Sequence, residues 1–391
     1  MGVVNIDKLP PKWKWAKLGE VCNIISGKRQ NNVVNPKGKY PIYGSSGVFG
    51  YADDYLCNEG STVIGRKGTI NSPLFVNTKF WNVDTAFGLS TNQHFNNKLL
   101  YYFCLGFNFH ALDRSTTIPS LAKRDLLSIV IPVPPQNVQK QIVSKIEELF
   151  SELDKGIEEL KKTQQQLKIY RQAVLKWAFE GRLTNKYIID GILPSEWEVK
   201  ELKDIGRIET GTTPSKANAE YYSNDYPFFK PSDLKAGINT RLAVDNLSKK
   251  GIKKARYLNA NSILITCIGA TIGKTGLIRV DGACNQQINS ITPNAGVLSE
   301  YVYYQVISQK FQDAIKENAA ATTLPILNKS KFEKLKLILA PFPEQLSIVN
   351  AIETRISVCD KIEDIIINTL QQAEALKQSI LKKAFEGKIL K

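Results

Sequence analysis

Apolar residues follow two rhythms along this chain. Short alternating runs such as "KYPIYGSSGVFGYADDYL" (Lys39–Leu56) and "NSILITCIGATIGKTGLIRV" (Asn261–Val280) predict twisted strands joined by glycine turns. "NKLLYYFCLGFNFHALDR" (Asn97–Arg114) and "SEYVYYQVISQKFQDAIKEN" (Ser299–Asn318) each predict a helix. A longer rhythm follows the proline stops "IPVPP" and "APFP". From about Gln136 to Glu180 and from about Glu344 to Glu386 there is no proline, and glycines follow at Gly181 and Gly387. In the first of these stretches Ile142, Ile146, Leu149, Leu153, Gly156, Leu160, Thr163, Leu167, Tyr170, Val174 and Trp177 step by four and three, a heptad seam weak at Gly156 and Thr163. The second carries Ile348, Ile352, Ile356, Cys359, Ile366, Leu370, Ala373, Leu376 and Ile380. Helices of ~43 residues would each be roughly 65 Å long at 1.5 Å per residue, which suits a strut rather than a part of one small domain.

Self-comparison shows that the pattern is written twice. "LPPKWKWAKLGEVCNIISG" from Leu9 realigns 184 residues later with "LPSEWEVKELKDIGRIETG" from Leu193. "STTIPSLAKRDLLSIVIPVPP" from Ser115 realigns with "ATTLPILNKSKFEKLKLILAP" from Ala321 at an offset of 206, which then holds without a gap to "AFEGRL" and "AFEGKI". The halves therefore differ by about 22 residues inside their globular parts. The division predicted is an α+β domain over 1–135, a long central helix over 136–183, a second α+β domain over 184–341 and a second long helix over 342–391. Equivalence of the halves predicts a pseudo-two-fold repeat with the two helices antiparallel.

Charge adds a partner class. Of the net +15, residues 1–135 carry +7 and residues 184–341 carry +6, whereas the two helical segments carry +2 and 0. Two basic blocks separated by nearly neutral ones suit a polyanion, nucleic acid first. No run of about 18 apolar residues and no signal-peptide core appears, so a cytoplasmic protein without membrane attachment is expected. Six scattered cysteines and two histidines, His94 and His110, give no metal-ligand spacing and no His-based triad.

The stretch "CIGATIGKTG" (Cys267–Gly276) imitates a phosphate-binding loop. G-x-x-x-x-G-K-[ST] would place its first glycine at position 268, which is Ile268. "TVIGRKGTI" (Thr62–Ile70) occupies the corresponding place in the first half and is no closer to the motif. Both read as a strand entering a glycine-rich turn, which argues against a P-loop ATPase.

The doubled order of these features resembles the specificity (S) subunit of type I restriction-modification systems. Paired target-recognition domains, the "TTIP" or "TTLP" turn, the proline-rich lead into each long helix and the "AFEG" ends carry the resemblance over nearly the whole chain. The family's Pro-Pro-x-x-Glu-Gln-like helix start is kept at Glu344-Gln345, whereas the first copy has Val138 in place of the glutamate. The resemblance implies a subunit without chemistry or cofactor of its own. It would read a bipartite site on double-stranded DNA and position two methyltransferase (M) subunits, which bind S-adenosylmethionine, and through them restriction (R) motor-nuclease subunits that use ATP and Mg. The competing reading is a coiled-coil scaffold that binds only proteins.

Arginine suits guanine edges, asparagine and glutamine suit adenine, and lysine holds phosphate. On that basis the candidate DNA-binding residues of the first domain are Lys28, Arg29, Gln30, Asn31, Tyr43, Ser45, Ser46, Arg66 and Lys67. Their equivalents in the second are Thr212, Thr213 and Lys216, then Lys230, and Lys274 as the counterpart of Arg66-Lys67, with Lys249, Lys250, Lys253, Lys254 and Arg256 as a clamp on the DNA backbone. Phe179 and Phe385, at the helix ends, are candidates for holding a methyltransferase or for closing the helix pair.

Overall fold

The computed structural model of the chain describes residues 9–185, 192–320 and 324–390. It divides into two compact units, Met1–Lys162 with Ile366–Lys391, and Thr163–Ile365. Each unit thus joins one α+β domain to the first part of the helix that follows it and the last part of the other long helix.

The first unit begins with β1 (Lys14–Lys17), α1 (Leu18–Val21), β2 (Cys22–Ser26), β3 (Tyr40–Gly44), β4 (Gly47–Ala52) and β5 (Ser61–Gly65). It continues through β6 (Leu74–Val76), β7 (Trp81–Asn82), β8 (Ala86–Thr91), α2 (Asn97–Gly106), α3 (Lys123–Leu127), β9 (Val130–Val133) and α4 (Gln136–Phe179). Three sheets result: the pair β1-β9, the antiparallel sheet β2-β8-β5-β6, and β4-β3-β7, in which β3 and β7 are parallel. The strand STVIG of β5 is buried throughout, as a central strand covered by α2 should be.

The second unit repeats this plan. Its elements are β10 (Glu198–Glu201), α5 (Leu202–Ile205), β11 (Gly206–Thr210), β12 (Tyr222–Phe229), β13 (Asp245–Leu247), α6 (Lys249–Ile252), β14 (Ile263–Thr266) and β15 (Thr275–Leu277). There follow β16 (Ala283–Cys284), β17 (Ile288–Pro293), α7 (Ser299–Val306), α8 (Gln309–Asn318), α9 (Lys329–Phe332), β18 (Lys336–Leu339) and α10 (Phe342–Phe385). The sheets β10-β18, β11-β17-β14-β15 and β13-β12-β16 reproduce the order of the first three. Register is reproduced as well: Cys22 faces Thr91 where Gly206 faces Pro293, and Ser26 faces Phe87 where Thr210 faces Asn289.

Both expected helices are broken: Asn97–Arg114 is helical to Gly106 and then forms a separate 3-10 turn at Phe109–Leu112, capped by Asn108. Ser299–Asn318 breaks after Val306, where the buried Ser308 hydroxyl donates back to the Gln305 carbonyl at 2.6 Å and the Ser308 backbone is extended (φ −66°, ψ 147°) before α8 begins.

A glutamine fixes the start of each long helix. Gln139 Oε1 accepts from the Asn96 amide at 2.8 Å, and its Nε2 donates to the carbonyls of Pro134 and His94. Gln345 makes the same three bonds, to the Leu298 amide and the carbonyls of Ala340 and Gly296. The residue differing between the copies is the one before it: Glu344 accepts from Trp197 Nε1 at 2.9 Å, while Val138 joins Trp13 beside the apolar core of its own unit. The two helix starts therefore dock alike, and the Val138 departure changes only the neighbouring contact.

Within each unit the two helical segments run antiparallel. Ile142 and Ile146 share a core with Ile380, Leu381, Ala384 and Phe385, and Val174, Leu175, Ala178 and Phe179 share one with Ile348 and Ile352. Lys377 pairs with Asp154 at 2.5 Å, and Arg171 with Asp360 at 2.6 Å, equivalent positions at the repeat offset. Gly181 and Gly387 end the helices in the left-handed region, with φ of 81° and 69°. The heptad seam needs correction toward its end, because Tyr170 and Trp177 are 47% and 49% exposed while Leu175 and Ala178 are buried. A 3.5-residue repeat drifts by ~20° per heptad against a helix of 3.6 residues per turn, or about 100° over the five heptads from Ile142 to Trp177.

Candidate nucleic-acid interface

Each domain gathers several of the candidate residues around one short turn. In the first domain this is the turn between β7 and β8, residues 83–85. Gly27, leaving β2, donates to Ala86 O at 3.2 Å, and Lys28 N–H donates to Asn82 O at 3.0 Å. Val83 N–H donates to Tyr43 O at the end of β3, and Arg66 N–H, leaving β5, donates to Thr85 O. Gly27 has to be glycine, since a Cβ there would sit 1.8 Å from Val83 O. In the second domain the turn 285–287 is held by partners on the same strands. Gly211 donates to Ile288 O, Asn285 to Phe229 O and Cys267 to Gln287 O, and a Cβ on Gly211 would lie 2.3 Å from Asn285 O.

Around the first turn the side chains are basic and exposed. Arg29 Nε lies 4.0 Å from Asp84 Oδ2, and the Arg66 guanidinium donates to Asp84 O at 3.3 Å while covering the Phe87 ring. Ser45 belongs to the same lip, because a Cβ on Gly68 would lie 3.8 Å from its Oγ. Lys28, Lys67, Asn31 and Ser46 are exposed and Gln30 is half-buried. Tyr43 is half-buried, with its ring edge-on to Phe80 at 5.3 Å, and burial first and Tyr51 second raise its hydroxyl pKa.

Around the second turn Thr213 Oγ1 donates to Gln286 Oε1 at 2.5 Å. Thr212 is half-buried, and its hydroxyl has no hydrogen-bond partner among the described residues. Lys216 is exposed. Lys230 is tied up, its ammonium paired with Asp245 and its amide bonded to Asp233 at 2.8 Å. Lys274 Nζ donates to Ser232 O at 3.2 Å. The run Lys249–Arg256 is built separately on α6, where Ser248 caps the amides of Lys250 and Gly251 and Ile252 anchors the turn in an apolar cluster. Lys249, Lys253, Lys254 and Arg256 point to solvent, while Lys250 is paired with Glu220 at 2.8 Å.

Two sequence assignments are corrected. Lys274 is not the counterpart of Arg66-Lys67, because the partners that hold Arg66 and Gly68, Leu121 N–H and Pro119 O, reappear as Leu327 N–H and Pro325 O on Cys267 and Gly269. Lys274 precedes β15 as Pro73 precedes β6, so its charge lies on the other arm of the loop. Phe179 and Phe385 are not surface residues available to a methyltransferase. Phe385 is 1% exposed and stands edge-on to Phe103 at 5.4 Å, and Phe179 is 6% exposed and stands edge-on to Tyr301 at 5.4 Å. Burying such an aromatic ring stabilises by roughly 1.5–3 kcal/mol, which settles their place in the core. Thr322 and Thr323 of the second "TTLP" turn lie outside the described residues.

The "CIGATIGKTG" stretch is not built as a phosphate loop. It runs into strand β15 rather than a helix, and the amides of Cys267, Gly269, Ile272, Gly273 and Lys274 are all bonded to carbonyls of the fold. All six cysteines are buried, with no cluster of metal-ligating side chains among the described residues. Among these residues no helix is long and apolar enough to cross a membrane. Asp84, Gln286 and the two glutamines at the helix starts escaped the sequence reading. The 206-residue offset that pairs Gln139 with Gln345 was the available signal for those two, whereas an acid in a basic lip offers none.

The family model for the type I restriction modification DNA specificity domain matches the chain twice, over residues 10–162 and 194–372. The EcoDI specificity subunit of Escherichia coli is 24% identical over 407 residues, covering 99% of this chain and 90% of that protein. The HindI specificity subunit of Haemophilus influenzae is 36% identical over 159 residues, 38% of this chain and 34% of that protein. Among solved structures, a chain from work on assembly of the type I R-M system superposes with a TM-score of 0.77 at 18% identity, covering 97% of this chain and 99% of that one. The HsdS subunit from Thermoanaerobacter tengcongensis gives 0.58 at 18% identity over 98% and 99% of the two chains. These structural matches establish a shared fold, and the doubled domain match over most of the sequence establishes that the chain belongs to the type I restriction-modification DNA specificity family.

Proposed function

We propose that this chain is the specificity subunit of a type I restriction-modification complex and reads a two-part DNA site, one part with each domain. The observation that carries the reading is the repeat of one loop hub in two domains with different side chains on it, basic around residues 83–85 and largely uncharged around 285–287. Two similar surfaces with different donors and acceptors suit two different half-sequences.

The basic excess of both domains would draw DNA in by counterion release, so binding should weaken steeply with salt. Exposed Lys28, Lys67 and the α6 lysines suit phosphate contacts, and Arg29, Asn31 and Gln30 suit base edges. The chain itself would do no chemistry. It would hold two methyltransferase subunits, which bring S-adenosylmethionine, and through them motor-nuclease subunits that bring ATP and Mg. Its work would then lie in the cytoplasm, where the host DNA is.

Base-modification sequencing of DNA from cells expressing the chain with its neighbouring genes, against the same cells without it, tests the reading. A methylated two-part motif with a fixed gap should disappear with the chain. Exchange of residues 12–135 for the matching domain of another family member should change one half of that motif only. No motif in the presence of an active methyltransferase would favour a scaffold that binds proteins alone.

A further inference from the structure

The two hubs share their backbone frame and carry different side chains on it, among them one facing pair that spans the turn and the loop opposite. Position 29 in the loop after β2 faces position 84 in the β7–β8 turn, and the corresponding positions are 213 and 286. The correspondence follows from register, since Gly27 and Gly211 donate to equivalent carbonyls and Arg66 and Cys267 reach the equivalent residues Thr85 and Gln287. In the first domain the facing pair is Arg29–Asp84, and in the second it is Thr213–Gln286.

Resting on the function proposed above, we infer that this pair is the position at which each domain specifies one base pair of its half-site, G·C in the first and A·T in the second. Asp84 is the telling residue. A carboxylate exposed among Lys28, Arg29, Arg66 and Lys67 opposes binding to phosphate and gains nothing from the DNA backbone. A carboxylate can, however, accept from the N4 amino group of cytosine, and an arginine beside it can donate both hydrogens of its fork to O6 and N7 of the paired guanine. The ion pair is loose, at 4.0 Å with the side chains 85% and 51% exposed, so both groups can turn to the bases at little cost.

Thr213 and Gln286 carry the chemistry of the other base pair. A glutamine amide accepts from N6 and donates to N7 of adenine, while a threonine methyl packs on the C5 methyl of thymine. The Thr213 hydroxyl donates to Gln286 Oε1, which orients the amide and leaves Nε2 as the outward donor. Gly27 and Gly211 hold the facing loops at one fixed separation, so an exchange of side chains transfers the reading without moving the backbone.

The test is methylome sequencing with the chain and its methyltransferase expressed together. The wild-type motif should contain a G·C pair in the half assigned to the first domain by exchange of residues 12–135, and an A·T pair in the other. In R29T/D84Q one position of the first half should change from G·C to A·T, with the second half and the gap unchanged. T213R/Q286D should make the reverse change in the second half. Asp84→Ala, which removes the acceptor and leaves the main-chain frame, should reduce the preference at the same position by roughly 5- to 150-fold, the worth of one good base contact, and serves if the double variants do not fold. The inference is overturned if the motif keeps every base in these variants, if a folded variant loses methylation at all sequences alike, or if the wild-type first half contains no G·C pair. Absence of any two-part motif with the wild-type chain would instead strike the proposed function itself.

Discussion

Gln345→Ala should detach the start of α10 from the domain that precedes it. The side chain is 1% exposed and makes three hydrogen bonds, accepting from the Leu298 amide at 2.8 Å and donating to Ala340 O at 2.8 Å and Gly296 O at 3.3 Å. Alanine leaves three backbone groups without this partner, and at about 1 kcal/mol for each bond the loss is about 3 kcal/mol. Gln345→Glu separates the components, since a carboxylate still accepts from Leu298 but can donate to neither carbonyl. Gln139→Ala removes the equivalent bonds from Asn96 N–H, Pro134 O and His94 O and should cost a similar amount. Urea titration gives the stability, and hydrogen exchange resolved by peptide gives its location. Exchange should speed up in residues 294–300 and the first turns of α10 for Gln345→Ala, and in residues 92–98 and the first turns of α4 for Gln139→Ala. A loss below about 1 kcal/mol in both variants, with exchange unchanged at the helix starts, would refute the view that the glutamines set the helix docking.

Three other outcomes follow from burial. Phe179→Ala and Phe385→Ala should each lower stability by about 3–5 kcal/mol in chemical denaturation; unchanged stability with lost methyltransferase binding would restore a partner role. Burial pushes the Cys22, Cys57, Cys267 and Cys284 thiols up to about 12 from their ordinary value of 9.0, so at pH 8 a thiol reagent should leave them unmodified until the chain unfolds. Because the folded pKa is raised, their contribution to stability is fully present below the unfolded value and is lost as pH rises from 9.0 toward about 12, so the urea midpoint should fall between pH 8 and pH 10.5.

Much of the architecture was legible because repetition states it twice. The offsets of 184 and 206 residues locate the matching strands, and the proline stops and glycine ends place the long helices within a residue or two of Gln136–Phe179 and Phe342–Phe385. The seam failed at Tyr170 and Trp177 because a rule of sevens accumulates error along a helix that turns every 3.6 residues. Phe179 and Phe385 were half-legible: closure of the helix pair was one of the two roles considered, but a ring edge-on to Phe103 or Tyr301 from a distant part of the sequence leaves no local mark. Lys274 misled because charge was matched in place of register. Two loops of unlike length align through what their amides bond to, and that is visible only when the strands have paired.

Those same amide bonds explain how one fold can serve two different reading surfaces. The hub turns 83–85 and 285–287 are tied by main-chain hydrogen bonds to β2 and β11, to β3 and β12, and to β5 and β14, so their conformation is set mainly by the main chain, with Asn285 Oδ1 adding a bond from the Gln287 amide at 3.2 Å in the second. Val83 and Asn285 hold equivalent places with unlike side chains, and so do Asp84 and Gln286 and the facing Arg29 and Thr213. A surface whose shape is set by the main chain can exchange a carboxylate for an amide without a packing cost, which is what a recognition position requires if it is to change bases while the domain remains folded. Where the main chain itself approaches closely, at Gly27 and Gly211, no such exchange is open: a Cβ would strike the carbonyl that fixes the turn, and both copies keep the glycine. Variable side chains on an invariant backbone hub, with the invariance enforced by contact distance, therefore separate the residues that read from the residues that hold.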